Sequence, residues 1–123
     1  MLTEAEHAAA KRYQTILGLD DWFIVYRVVT ERLPGAMATS LARPDYREAV
    51  ITVSLAAIEE SKANGFEESV TRLLLHELCE VVVEECFRDV DTSIMDCDRM
   101  MRGRDIMADK LRRIVERMEG ERA

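Results

Sequence analysis

The sequence predicts an α+β domain, and three observations carry that prediction. Strand-like segments lie in its first half, at residues 22–29 and 46–55, and helical periodicity fills the second half. Turn dipeptides, Pro34-Gly35 and Pro44-Asp45, separate the strand-like segments. Strands followed by helices is the α+β order. A chain of 123 residues is one ordinary domain, 1–123, large enough for its own core.

Each element has a local cause. Thr3 and Glu6 make a capping box, Ala5, Ala9, Tyr13 and Ile16 keep helical spacing, and Gly18 can end the N-terminal helix. Residues 22–29, WFIVYRVV, are aromatic and β-branched, which favours a strand. Residues 36–42 form a weaker strand of small side chains. In residues 46–55, Val50, Thr52 and Ser54 alternate with Ile51, Val53 and Leu55. Three short strands with tight turns predict a small antiparallel three-stranded meander. Residues 56–63 form a short helix ended by Asn64-Gly65, and residues 66–87 a long one. A last helix spans 93–118, with Ser93 as N-cap. Its Met100, Met107, Leu111, Ile114 and Met118 fall on one stripe, expected to be core. The N-terminal helix and the sheet are expected to pack on the long helix and this C-terminal one.

Composition narrows the function. Apolar residues at 48% and charged residues at 33% exclude a disordered chain, and 5 Gly and 2 Pro exclude a collagen-like one. No run approaches the roughly 20 apolar residues of a membrane span. Residues 1–10 hold Glu4 and Glu6 and no basic residue, unlike a signal peptide. Three cysteines without framework spacing fit a reducing, cytoplasmic setting. The net charge is −7. Residues 1–98 hold 9 basic and 19 acidic side chains, net −10, and residues 99–123 hold 8 and 5, net +3. An acidic body argues against a nucleic-acid partner. The mixed signs of Arg112, Arg113, Glu116, Arg117 and Glu119 read as a solvated helix face.

The informative segment is residues 73–83, LLLHELCEVVV. Eight of the eleven are apolar and point in nearly all directions, so the helix is buried. The exceptions are His76, Glu77 and Glu80. With His76 at zero, Glu80 lies near 40°, Glu77 near 100° and Glu84 near 80°, at about 100° per residue. Buried carboxylates need partners. One answer is an arginine, Arg27, Arg47 or Arg104, in a structural ion pair. The other is a divalent metal. His76 and Glu80 at i, i+4 offer a nitrogen and an oxygen on adjacent turns, and Glu77 beside them could serve as general base to a metal-bound water.

The order of elements then resembles the minimal zincin-like metallopeptidases, especially the short forms of phages and prophages. The resemblance covers most of the chain: an aromatic first strand, a small-residue second strand, the Tyr-x-x-Ala strand starting at Tyr46, and Leu-Leu-His-Glu-Leu at residues 74–78. The family motif is His-Glu-x-x-His, two zinc ligands around a catalytic base, with a third ligand from a later helix. The resemblance implies zinc on His76, Glu77 as base and a peptide substrate. Glu80 stands where the family has its second His, and a carboxylate can also ligate zinc. Asp105, before the run 106–111, looks similar to the family's third ligand, the alternative being a solvated side chain at the margin of the buried stripe, and Asp98 is a weaker candidate. The competing expectation is a non-catalytic domain of the same fold that binds a partner protein, its polar stripe an ion-pair network.

Other chemistry lacks support. Cys79, three residues after His76, falls on the apolar side and reads as a small hydrophobe. Cys97 carries no mark of reactivity, and His7 reads as a helix residue away from the motif. Asp89, Asp91 and Asp96 read as loop and cap residues. No Gly-rich phosphate loop or Gly-x-Ser-x-Gly elbow is present.

Overall fold

The computed structural model describes residues 1–66, 68–87 and 97–122, the last helix without the side chains of 97–100, 121 and 122. Its order is α1 (Glu4–Ile16), β1 (Phe23–Val29), β2 (Ala38–Arg43), a 3-10 turn (Pro44–Tyr46), β3 (Glu48–Ser54), α2 (Leu55–Ala63), α3 (Val70–Phe87) and α4 (Cys97–Arg122). The α+β class is as the sequence predicts. Ser93, Asp89, Asp91 and Asp96 lie outside the described residues, as do the side chains of Cys97, Asp98 and Met100.

The capping box closes the start of α1: Glu6 N–H donates to Thr3 Oγ1 at 3.1 Å, and Thr3 N–H donates to Glu6 Oε1 at 2.9 Å. Gly18, at φ +72°, then turns the chain away in a left-handed conformation that side chains resist. The start of α3 differs from the sequence expectation. It begins at Val70, four residues later than expected, because Ser69 Oγ accepts from Arg72 N–H at 3.2 Å and caps the helix there.

The sheet is mixed, which corrects the meander. Its order is β1-β3-β2, with β1 parallel to β3 and β2 antiparallel to it. Sequential strands usually neighbour one another, and β2 and β3 do so across the expected tight turn. The eight residues 30–37 instead carry the chain past the end of β3. Ser54, fully buried at that end, holds the crossing loop. Its N–H donates to the Met37 carbonyl at 2.9 Å and its hydroxyl donates to the Glu31 carbonyl at 2.7 Å. The same hydroxyl accepts from Ala57 N–H at 3.2 Å and caps α2. The most buried strand thus takes the centre, with Ala49, Ile51 and Val53 buried against the helices.

The helices cover one face of the sheet. Leu74, Leu78 and Val81 of α3 join Ile51, Val53, Trp22 and Leu19 in the main core. A second core forms where Leu75, Cys79 and Val83 of α3 meet Ala108 and Val115 of α4. Here the expected stripe holds only in part. Leu111 is half-buried against this core, but Met107, Ile114 and Met118 are exposed, while Ala108, Arg112 and Val115 form the buried line of α4. Ala108 is small enough to let the helices approach. The Arg112 guanidinium is matched by Asp109, at 2.7 Å, and by Glu116, at 3.0 Å, so it can sit in the seam. None of the described helices is long and apolar enough to cross a membrane.

Removing the Ser54 hydroxyl takes the partner from the Glu31 carbonyl and the Ala57 N–H, both in part-buried hydrogen bonds. Ser54→Ala is expected to lower stability by about 2 kcal/mol, a cap plus one buried polar group. Urea unfolding measures this, and a loss under about 0.5 kcal/mol, the range of ordinary surface changes, would contradict the tie.

Candidate metal centre

Helix α3 sets the site because its polar arc faces the seam between β2 and α4. The inward positions of β2 are Ala38, Ser40 and Ala42, which leave room for that arc. One ligand atom from each of His76, Glu77 and Glu80 lies within 4.8 Å of the others. His76 Nε2 is 3.6 Å from Glu80 Oε1, and Ser40 Oγ donates to Glu80 Oε2 at 3.4 Å. Glu77 is the most buried, at 3% exposure. The three line a cleft of about 720 Å³, with Met37 and Ala38 on the β2 side and Asp109 and Arg112 on the α4 side.

Burial decides where the protons are. Glu77 is pushed up to about 9, first by desolvation and then by its hydrogen bond to Glu80. Glu80 is pulled down to about 2, chiefly by its hydrogen bond with His76. His76 is raised by the same partner, against the opposing effect of burial. At neutral pH Glu77 therefore holds a proton, and Glu80 carries the negative charge between it and His76.

The arginines considered from sequence do not join this group. Arg27 is exposed on β1, Arg47 pairs with Asp21, and Arg104 pairs with Glu84 at 2.9 Å. The ion-pair expectation thus holds one turn along the helix, at Glu84. Asp105 stands outside the 4.8 Å group. It shares with Glu80, Ser40 and Arg104 a smaller cleft of about 210 Å³. Its carboxyl is raised by partial desolvation, then by Glu80. Cys79 is fully buried, its thiol raised to about 12 by desolvation, as a structural hydrophobe should be. His7 packs edge-on against Tyr26 and takes no part in the group.

Three residues of the site were not foreseen. Asp109 lies one helical turn after Asp105, and that i, i+4 spacing was a readable signal. It is pinned by Arg112 and Arg113. Arg112 lies one turn after Ala108 and one turn before Val115, on the face those two small and apolar residues mark. Ser40 carries no signal beyond its inward place on an alternating strand.

The donor set is one imidazole nitrogen and two carboxylates, a combination zinc accepts, and a tetrahedral ion with roughly 2.1 Å bonds spaces its ligands ~3.4 Å apart. The His76–Glu80 spacing already matches that, so the group could hold a metal ion. Compared with protein families, curated sequences and solved structures, the chain matches none of them.

The proton positions give a pH dependence with a definite sign. A carboxyl raised from 4.5 to about 9 keeps its proton in the fold and loses it in the unfolded chain. Its contribution is complete below 4.5 and disappears as pH rises to 9. The raised His76 adds loss in the same direction above 6.5, and the lowered Glu80 loses its contribution as pH falls from 4.5 toward 2. In chelator, stability should peak near pH 5 and decline toward pH 9. Glu77→Gln should flatten the decline, leaving the His76 part. Urea midpoints across that range check this, and an equally steep decline in the variant contradicts it.

Proposed function

We propose that the chain is a zinc-dependent peptidase of the short zincin-like type, acting on an extended peptide or protein segment. The observation that supports it is the buried Glu77 carboxyl beside His76 and Glu80 at the floor of one open cleft. His76 and Glu80 would hold the ion, and Asp105, which lines the smaller cleft with Glu80, is the candidate for a third ligand. Zinc when bound supplies Lewis acidity, toward a peptide carbonyl or a water molecule. Glu77 takes and returns the proton at its carboxyl oxygen. Its raised pKa comes down beside positive charge, toward the neutral range where a general base works best. Strand β2 is an edge of the sheet, and its Ala38 borders the cleft. An extended substrate can add to that edge through backbone hydrogen bonds and so be laid past Glu77.

A second reading has its own support. The three groups already compensate one another, with Glu77 neutral and Glu80 paired to His76. A fold that satisfies its polar stripe in this way can serve as a protein-binding module without catalysis.

Two measurements separate the readings. Zinc at pH 7.5 should raise the melting temperature over chelator, by a stabilisation of about 2.7 kcal/mol at a hundredfold excess over Kd. The gain should shrink at pH 5.5 as His76 protonates, vanish in His76→Ala, and grow in Glu80→His, which restores an imidazole. A melt indifferent to zinc and chelator at both pH values favours the binding module. With zinc bound, Glu77→Gln should retain the metal while peptide hydrolysis falls by roughly a hundred- to ten-thousand-fold. Undiminished hydrolysis in that variant removes Glu77 as base.

A further inference from the structure

Met107, Ile114 and Met118 stand in water, at 42%, 53% and 47% exposure. At about 100° per residue, Ile114 and Met118 lie within roughly 20° of Met107, so the three form one line along α4. Ala108 and Val115, which pack on α3, are roughly 80–100° away, and Asp105 and Asp109 roughly 160° away. The line is therefore separate from the candidate metal centre. Its side away from α3 carries Lys110, Arg113 and Arg117, all exposed. Arg113 pairs with Asp109, whereas Lys110 and Arg117 make no ion pair with a described residue.

We propose that this line docks an acidic amphipathic helix of a partner protein. Apolar side chains at i, i+7 and i+11 match the repeat by which one helix grips another, and methionine adapts to the shape it meets. The uncompensated cations along the rim select acidic flanks. A second copy is disfavoured by the same charges. Two-fold antiparallel pairing along this line sets the same flank of each helix together, Lys110 against Arg117. An anionic bilayer is disfavoured by the rest of the molecule. A single helix, about 10 Å wide, stays within the basic rim. A membrane plane extends past the ~8 Å screening length to the body, which carries −10 over residues 1–98. The three anchors are few, so the contact belongs to the transient class.

The test uses the full chain and a helix-stapled peptide of about 16 residues, Leu on one face and Glu on the other, beside its Lys-for-Glu counterpart. Fluorescence anisotropy should show saturable binding of the Glu peptide and about tenfold weaker binding of the Lys peptide. Ile114→Ser, and separately Lys110→Glu with Arg117→Glu, should each weaken the Glu peptide about tenfold, with the helical circular dichroism unchanged. Met118→Ser replaces Ile114→Ser should that variant lose helix. Equal binding of both peptides, or affinity unmoved by the variants, overturns the proposal. Dimerisation in light scattering that Ile114→Ser abolishes overturns it in favour of a second copy. Co-sedimentation with phosphatidylserine vesicles, lost in the same variant, overturns it in favour of a lipid surface.

Discussion

Glu77 is a carboxyl group at 3% exposure, on a helix that packs against the sheet, α1 and α4. Left ionised and alone, such a group would cost several kcal/mol, a large part of a small domain's stability. The structure answers by keeping its proton, placing the negative charge on Glu80 and setting His76 against that charge. Three titratable groups thereby behave as one unit. Replacing any of them changes the charge the other two must balance, so their energies do not add.

That unit fixes what its neighbours can be. Large side chains on the inward face of β2 would close the space over Glu80, and Ala38, Ser40 and Ala42 keep it open. A meander would have put β2 in the centre of the sheet, with both edges hydrogen-bonded. The crossing held by Ser54 puts it at an edge of the sheet instead, with its inner face toward Glu80. The edge position leaves one side of β2 without a strand partner among the described residues, at the rim of the cleft that Ala38 lines.

The parts legible in the sequence are those with local causes. The Thr3–Glu6 box, the β-branched runs, the Pro44 turn and the Asn64-Gly65 stop all act within a few residues, and each stands where its chemistry placed it. The arc of His76, Glu77 and Glu80 was legible too, because helical period alone collects them. What escaped depends on distant partners. Strand order depends on a serine side chain reaching a carbonyl 23 positions away. The position of Asp105 relative to the group depends on how α4 is turned, which no spacing within α4 states.

The turn of α4 is set by a buried arginine. Its apolar line centred on Met107 and Ile114 would have been the ordinary surface to bury, at about 25 cal/mol per Å². The fold buries Arg112 between Ala108 and Val115 instead and satisfies it with Asp109 and Glu116. Rotating α4 by the roughly 90° needed to bury the methionines would carry Asp105 and Asp109 away from the clefts by the same angle. It would also pull Ala108 from its contact with Cys79 and Leu75. The acidic face toward Glu80 and the apolar face toward water are therefore one choice. A side-chain change that moves Arg112 out of the seam should alter both at once.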